Sequence, residues 1–440
     1  MKSNVIKFIA LILLPSLTPA FLPAQQRPKL DKALRKATVD SACVLLVKNY
    51  VFPETAIKMT QLLKKNLKSG AYDRLDDPEE FAQRLTADLR SINNDRHMAI
   101  RFGPQLVAQM RCDTIHGESL PEVIRAHQRD NYGFYKVERL PGNIGYLDLR
   151  MFDNPLMPGA GAAAVAAMNF LANTQAVIFD LRRNGGGYPE MIQLLSTYLF
   201  EGEAHLNDLY NRPTDFTQQY WVLPWVPGPR LAKVPVYVLT SDYTFSGAEE
   251  FSNNLRELKR ATIVGQATGG GAHPVDFKIL NDLFILKVSI GRAINPVSKK
   301  NWEGTGVQPH VKVPADSALG VAYLMALDTL HQSATDPGEK QELATIRAIK
   351  RAEQAAFNIP DKLLRSYAGT YGIRTISYDQ GRLYFQREQG PKWKLLPVSE
   401  KNFVIDDVGG QVLYAIDDDG KVIGFDLIRA PGDTVRCLRQ

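Results

Sequence analysis

Two stretches carry residue types suited to acyl-transfer chemistry. In the first, an apolar run from Val234 to Leu239 passes through Thr240-Ser241-Asp242 into a helix that opens near Ser246-Gly247. That order puts a hydroxyl at the carboxyl edge of a parallel sheet, where open α/β sheets hold their sites. The helix N-terminus adds backbone N–H groups and a positive dipole, both useful against an oxyanion. The same geometry also suits a plain N-cap, a position serine favours. In the second stretch, Asp180-Leu181-Arg182-Arg183-Asn184 runs into Gly185-Gly186-Gly187. Glycines let main-chain amides approach a ligand without side chains in the way. Such amides serve an oxyanion or a phosphate. A Walker Lys-Ser/Thr pair is missing and Tyr188 follows, which argues against a nucleotide loop. A tight strand-to-helix turn is the alternative reading.

The elements that must position these residues follow from pattern. Residues 1–24 read as a signal peptide: Lys2 and Lys7, an apolar stretch Phe8–Leu14, then Ala24 before Gln25-Gln26. Export to the periplasm or cell exterior is therefore expected. No later run approaches ~18 apolar residues, so an integral membrane protein is not expected. Residues 25–130 read as a helical N-terminal domain, with Leu30, Ala33, Leu34, Val39, Cys43, Val44 and Val47 recurring at helical steps. Asp77 before Pro78-Glu79-Glu80 marks an N-cap, and the helix it starts ends near Ile92. His97 then leads a strand-like run, Met98–Phe102.

Residues 131–335 alternate strands (Ile144–Leu149, Ala176–Leu181, Val234–Leu239, Ala261–Val264) with helices. That alternation predicts an α/β core with a mostly parallel sheet and crossover helices. Residues 336–361 read as a charged helical linker. Residues 362–440 read as a small antiparallel β domain, with hairpin signals at Asp379-Gln380-Gly381, Gly409-Gly410 and Asp418-Asp419-Gly420. The net charge of +6 is spread without a basic stripe, so nucleic acid is not an expected partner. Cys43, Cys112 and Cys437 lie far apart, enough for one disulfide but not for a framework or a CxxC site. No metal or other cofactor is expected.

Three runs together carry a resemblance: Val177–Gly187, Ser241–Gly271, and Asn301-Trp302-Glu303-Gly304-Thr305-Gly306-Val307-Gln308-Pro309. In that order they look like the core of the tail-specific, or C-terminal-processing, serine peptidases, over roughly residues 75–330. The resemblance implies a ClpP/crotonase-like core, a peptide or protein substrate, Ser246 as nucleophile, and an oxyanion hole from Gly247 with Gly185, Gly186 and Gly187. The processing branch of that family has a lysine base in a Thr-Phe-Gly-Lys-Gly-like segment. Here Thr268-Gly269-Gly270-Gly271-Ala272 puts Gly271 at that place.

The other branch, similar to the tricorn core protease and the interphotoreceptor retinoid-binding protein, uses serine, histidine and glutamate. Asp95-Arg96-His97-Met98 matches its histidine motif, which implies His97 as base and Glu303 as the acid that orients it. Arg96 stands where the tricorn protease has a serine, and residues 102–143 are too few for a PDZ module. His273, after the glycine loop, is the competing base. Glu249 and Glu250 read as acids favoring the first helical turn. Two further readings stay open: a catalytically idle module binding hydrophobic ligands, and an esterase using the same machinery.

Overall fold

A computed structural model describes residues 30–116, 121–355, 357–406, 408, 410–430 and 433–440. The expected signal peptide lies outside them. Among the described residues no helix is long and apolar enough to cross a membrane. The chain divides into two compact units. One holds residues up to Glu138 with Tyr146–Asn173 and Val177–Asp316; the other holds Arg139–Gly145, Thr174–Ala176 and Ser317–Gln440. The fold class is as expected: a mixed α/β core, a helical N-terminal region and a C-terminal antiparallel β structure.

The core sheet orders its strands Val311–Lys312, Thr262–Gly265, Val236–Thr240, Ala176–Asp180, Ile144–Leu149 and Phe134–Leu140. Its central pairs are parallel, with Val177 beside Val236 and Tyr237 beside Thr262. Ala176–Asp180 and Val236–Thr240 are buried at every residue. Residues on both faces of these strands are shielded from solvent, which is why they read as unbroken apolar runs. The helix Gly247–Glu257 seats Phe251 against Phe152 and Phe179, with ring centroids 5.4 and 5.2 Å away. All three rings are fully buried, so this aromatic trio fixes the helix that carries Ser246.

In the N-terminal region, the Asp77 carboxylate accepts from the N–H groups of Glu79 and Glu80 at 2.8 and 3.2 Å, capping the helix Pro78–Asn93. Asn94 ends that helix in the left-handed conformation, φ 54°. The reversal sends Asp95 and His97 into the strand Ala99–Phe102, which pairs antiparallel with Phe284–Ser289. Helices Lys32–Asn49, Pro53–Lys68 and Pro78–Asn93 share one apolar core with Leu280, Phe284, Leu286 and Val288. The hairpins of Val275–Ile279 with Phe284–Ser289, and of His205–Asn211 with Phe216–Trp221, have no counterpart among the expected elements. Cys43 and Cys437 are buried free thiols; the side chain of Cys112 is outside the described residues.

In the second unit, helix Pro337–Ala355 falls where the linker was expected. Eight antiparallel strands from Gly369 to Leu438 then follow in sequential order. Gln380 and Gly381 both take positive φ, 45° and 78°, as a two-residue hairpin loop requires. The Gln440 N–H donates to Thr370 O at 3.0 Å and brings the chain end back to the first strand. Tyr367, Tyr371, Tyr414 and Phe425 fill the interior.

Replacing Phe251 with alanine should lower the unfolding free energy by about 3–5 kcal/mol in urea denaturation. A loss under about 1 kcal/mol would mean that the trio does not hold the helix.

Candidate active site

Ser246 sits at the head of its helix with φ 54° and ψ −120°. A residue with a side chain pays on the order of 1–3 kcal/mol for such backbone, and it persists only where surroundings impose it. The main restraint is Glu249, which is fully buried. Its carboxylate accepts the Ser246 N–H (2.8 Å), the Gly270 N–H (2.6 Å), the Gly271 N–H (2.8 Å) and the Thr268 hydroxyl (2.5 Å). Thr268 Oγ1 in turn accepts from the Val307 N–H at 2.7 Å. One buried side chain thus binds the serine turn to the glycine loop. Burial pushes the Glu249 carboxyl up to about 7, against the donors, which favour its charged form.

The glycine run Gly185–Gly187 approaches the same turn. Gly186 and Gly187 take φ 113° and 141°, and a side chain on Gly187 would strike the Phe152 backbone. A β-carbon on Gly186 would stand 2.8 Å from the Gly247 nitrogen, which shows how closely the two segments pack. Their amides are not equivalent. The Gly186 N–H donates to Asn184 Oδ1 at 2.8 Å, and the buried Asn184 amide donates to Leu149 O at 2.9 Å. The Gly186 N–H is therefore committed to its own loop. Among the described residues the N–H groups of Gly185, Gly187 and Gly247 donate no hydrogen bond.

His97 is 2% exposed, and its ring lies 4.5 Å from that of Phe245, the residue before Ser246. No hydrogen bond joins it to Ser246, and its Nδ1 is buried without a partner. Burial, with Lys287 nearby, holds its pKa well below the ordinary imidazole range. Asp95, 1% exposed, accepts the His97 main-chain N–H at 2.9 Å, the Tyr50 hydroxyl at 3.1 Å, and bonds His273 Nδ1 at 3.2 Å. Burial opposes its ionisation, but the bond and charge of His273, then His97, outweigh that and hold its pKa low.

Glu303 reaches a different imidazole from the expected one. Its Oε2 lies 3.5 Å from His273 Nδ1 and accepts the Ala272 N–H at 2.6 Å. Burial raises its pKa, against His273 and the Ala272 bond. Trp302 Nε1 donates to Gly271 O (2.8 Å) and Gly304 N–H to Gly270 O (3.0 Å), so the segment carrying Glu303 is fastened along the glycine loop. Among the described residues, Asp95, His273 and Glu303 present ligand-type atoms all within 4.8 Å of one another, a set able to hold a cation. The sequence reading gave Asp95 no role of its own. Its signal was its place two residues before His97, from which its carboxylate reaches back to that residue's N–H.

Ser246, His97, Gly185–Gly187, Gly247 and His273 line one cavity of about 720 Å³. Such a volume suits a peptide segment or a drug-sized ligand. Gly271 lines it too. A β-carbon at Gly271 would stand 2.5 Å from His97 Cε1 and collide with the Phe245 ring. A lysine at this place, as in the processing branch, cannot coexist with His97 where it lies.

Comparisons with known proteins point to one peptidase family. The family described as "Peptidase family S41" matches residues 143–313, and "N-terminal domain of Peptidase_S41 in eukaryotic IRBP" matches residues 20–129. Together they take in more than half of the chain. A tail-specific protease of Haemophilus influenzae is 30% identical over 122 residues, 26% of this chain and 16% of that protein. The chloroplastic carboxyl-terminal-processing peptidase 1 of Arabidopsis thaliana is 26% identical over 202 residues, 45% of this chain and 39% of that one. Both matches thus span well under half of the relative's own length. The solved photosystem II D1 C-terminal processing protease is similar at a TM-score of 0.42 and 15% identity, over 64% of this chain and 94% of that one. That likeness is too distant to carry an argument.

Two outcomes follow from the packing. Gly271→Ala should destabilise the fold by about 1–3 kcal/mol, read from thermal or urea melts, because the new methyl meets two rings. The second concerns Glu250, whose pKa burial raises from 4.5 to about 7. The folded state binds this proton more tightly than the unfolded chain. Its stabilisation is therefore whole below about pH 4.5 and lost as pH rises through 7. Between pH 5 and pH 8 the wild type should lose roughly 2–3 kcal/mol relative to Glu250→Gln. A stability difference that ignores pH would contradict this.

Proposed function

Because this chain belongs to peptidase family S41, we propose that it is a serine peptidase with Ser246 as nucleophile and His97 as general base. One observation carries the reading: Ser246 stands in high-energy backbone at a helix head, beside the uncommitted N–H groups of Gly187 and Gly247. Ser246 Oγ attacks the scissile carbonyl carbon while His97 takes the hydroxyl proton. The carbonyl oxygen becomes an oxyanion held by the Gly187 and Gly247 amides, with Gly185 at the rim. As the intermediate collapses, the C–N bond breaks and the proton passes to the leaving amine. Water then repeats the sequence on the acyl-enzyme and frees Ser246. Closing the Ser246–His97 hydrogen bond requires a shift that bound substrate would drive.

The contacts of Glu303 and Asp95 with His273 support a second assignment, in which His273 is the base and those carboxylates orient it. In the first assignment, Glu303 acts on His97 only through the His273–Asp95 network. The substrate in either case is an exposed peptide segment. The charged, apolar, small-residue order of residues 1–24 supports export to the bacterial cell envelope. The strands of residues 362–440 form an accessory module by this reading, and 25–130 with 131–335 the catalytic part.

A fluorophosphonate probe on the purified protein tests the assignment. Labelling should vanish in Ser246→Ala and fall at least 100-fold in His97→Ala, with a smaller fall in Glu303→Ala. Loss in His273→Ala with labelling kept in His97→Ala would transfer the base to His273. A folded wild type that never labels would leave the idle ligand-binding module, and labelling with ester but no peptide cleavage would leave the esterase.

A further inference from the structure

Glu250 is an acid the chemistry above does not use. It lies one helical turn beyond Ser246, its N–H bonded to Ser246 O at 3.0 Å, and it is only 6% exposed. It nevertheless lines the cavity that holds Ser246, together with Gly247, Leu209 and Ala293. Leu209 and Ala293 face each other across adjacent strands and make an apolar wall. Among the described residues no lysine or arginine pairs with Glu250, and the side-chain amides of Asn207 and Asn254 are the groups that favour its charged form. The buried Asn207 amide lies against that carboxyl, and neither its oxygen nor its nitrogen has a partner at full hydrogen-bond geometry. Glu190, the other acid nearby, is engaged by the Tyr220 hydroxyl at 3.1 Å.

A buried carboxyl without a cation is costly to ionise and tends to hold its proton, and an arriving cation would favour its charged form. The cationic groups of the cavity do not fill that role. Arg96 is held on Gly269 O, Arg90 on Met98 O and Arg96 O, and Arg150 on Asp148, while Arg90 and Lys287 act on His97 and Arg101 on Lys287. Four residues of helix rise place Glu250 about 6 Å beyond Ser246. That is close to the reach of an extended lysine or arginine side chain from its own α-carbon.

Resting on Ser246 as the nucleophile, we propose that Glu250 is the floor of a specificity subsite and that the enzyme selects peptides with a lysine or arginine on the acyl side of the scissile bond. The aliphatic stem of that side chain would lie along Leu209 and Ala293. Its charge would meet Glu250, and the Asn207 amide would complete the polar floor. A site built to receive a charge rejects the analogue lacking it far more strongly than an apolar pocket rejects a missing methylene.

Two fluorogenic peptides differing only in lysine or norleucine at that position test this. Wild type should prefer lysine by at least tenfold in kcat/KM, Glu250→Gln should bring the ratio near one, and Glu250→Asp should keep part of the preference. Equal rates in wild type, or an unchanged ratio in Glu250→Gln, overturn the proposal. A measurement on wild type alone guards against a variant that does not fold. n-Butylammonium should slow fluorophosphonate labelling at a concentration where n-butanol does not, and equal effects of the two overturn the subsite. If neither peptide is cleaved, the amine comparison decides. Labelling of Ser246 without either preference removes the subsite and leaves the peptidase reading; absence of labelling removes both.

Discussion

The candidate site depends on one buried carboxylate. Glu249 gathers three main-chain N–H groups and a hydroxyl from two segments that are distant in sequence. Hydrogen bonds to an ionised acceptor are about twice as strong as neutral ones, and in a dry interior an unmade one is expensive. The serine turn, the glycine loop and, through Thr268, the segment at Val307 are therefore positioned together. The positive φ of Ser246 is one consequence, because the turn cannot relax without releasing its N–H from Glu249. The contact of Gly271 with the His97 ring is another, since the loop is drawn in until no side chain fits there.

Around that clamp the ionisable groups are sorted by their surroundings. Burial with cationic neighbours keeps His97 neutral, the form able to accept a proton. Asp95 remains charged because His273 bonds it, while Glu303, with fewer compensating partners, is pushed upward. Two carboxylates on one imidazole nitrogen brace His273, whereas His97 packs on the ring of Phe245 beside Ser246. The oxyanion donors are sorted in the same way. Asn184 takes the Gly186 N–H for the loop's own stability and leaves its neighbours free to face a ligand.

Much of the architecture was legible because local chemistry matches the global fold. Strands covered on both faces must be apolar throughout, so Ala176–Asp180 and Val236–Thr240 announce themselves. Asp77-Pro78-Glu79-Glu80 satisfies a helix start wherever it occurs, and Gln380-Gly381 supplies the positive φ of a tight hairpin. The strands His205–Asn211 and Phe216–Trp221 were not legible. Asn, Asp and Gln interrupt their apolar residues, so the pattern hides that Leu206, Leu209 and Tyr220 pack into a small core with Ala293, Trp302 and Val307. The helices of residues 32–93 also gave no sign that they complete their core with residues 280–288, since only pairing with Phe284–Ser289 brings those apolar side chains across.

The sequence by itself determined the fold class and the order of the main helices and core strands, apart from two hairpins. Each of these follows from short-range periodicity, turn chemistry and residue type. Tertiary structure alone decided the pairings: Glu303 with His273, Asp95 bridging two histidine residues, Gly186 spent on Asn184, and Glu250 buried yet facing the cavity. Hydrogen bonds distinguish partners over a few tenths of an ångström. Spacing along a chain does not encode distances at that scale, because they are set where loops as much as 178 residues apart pack against one another.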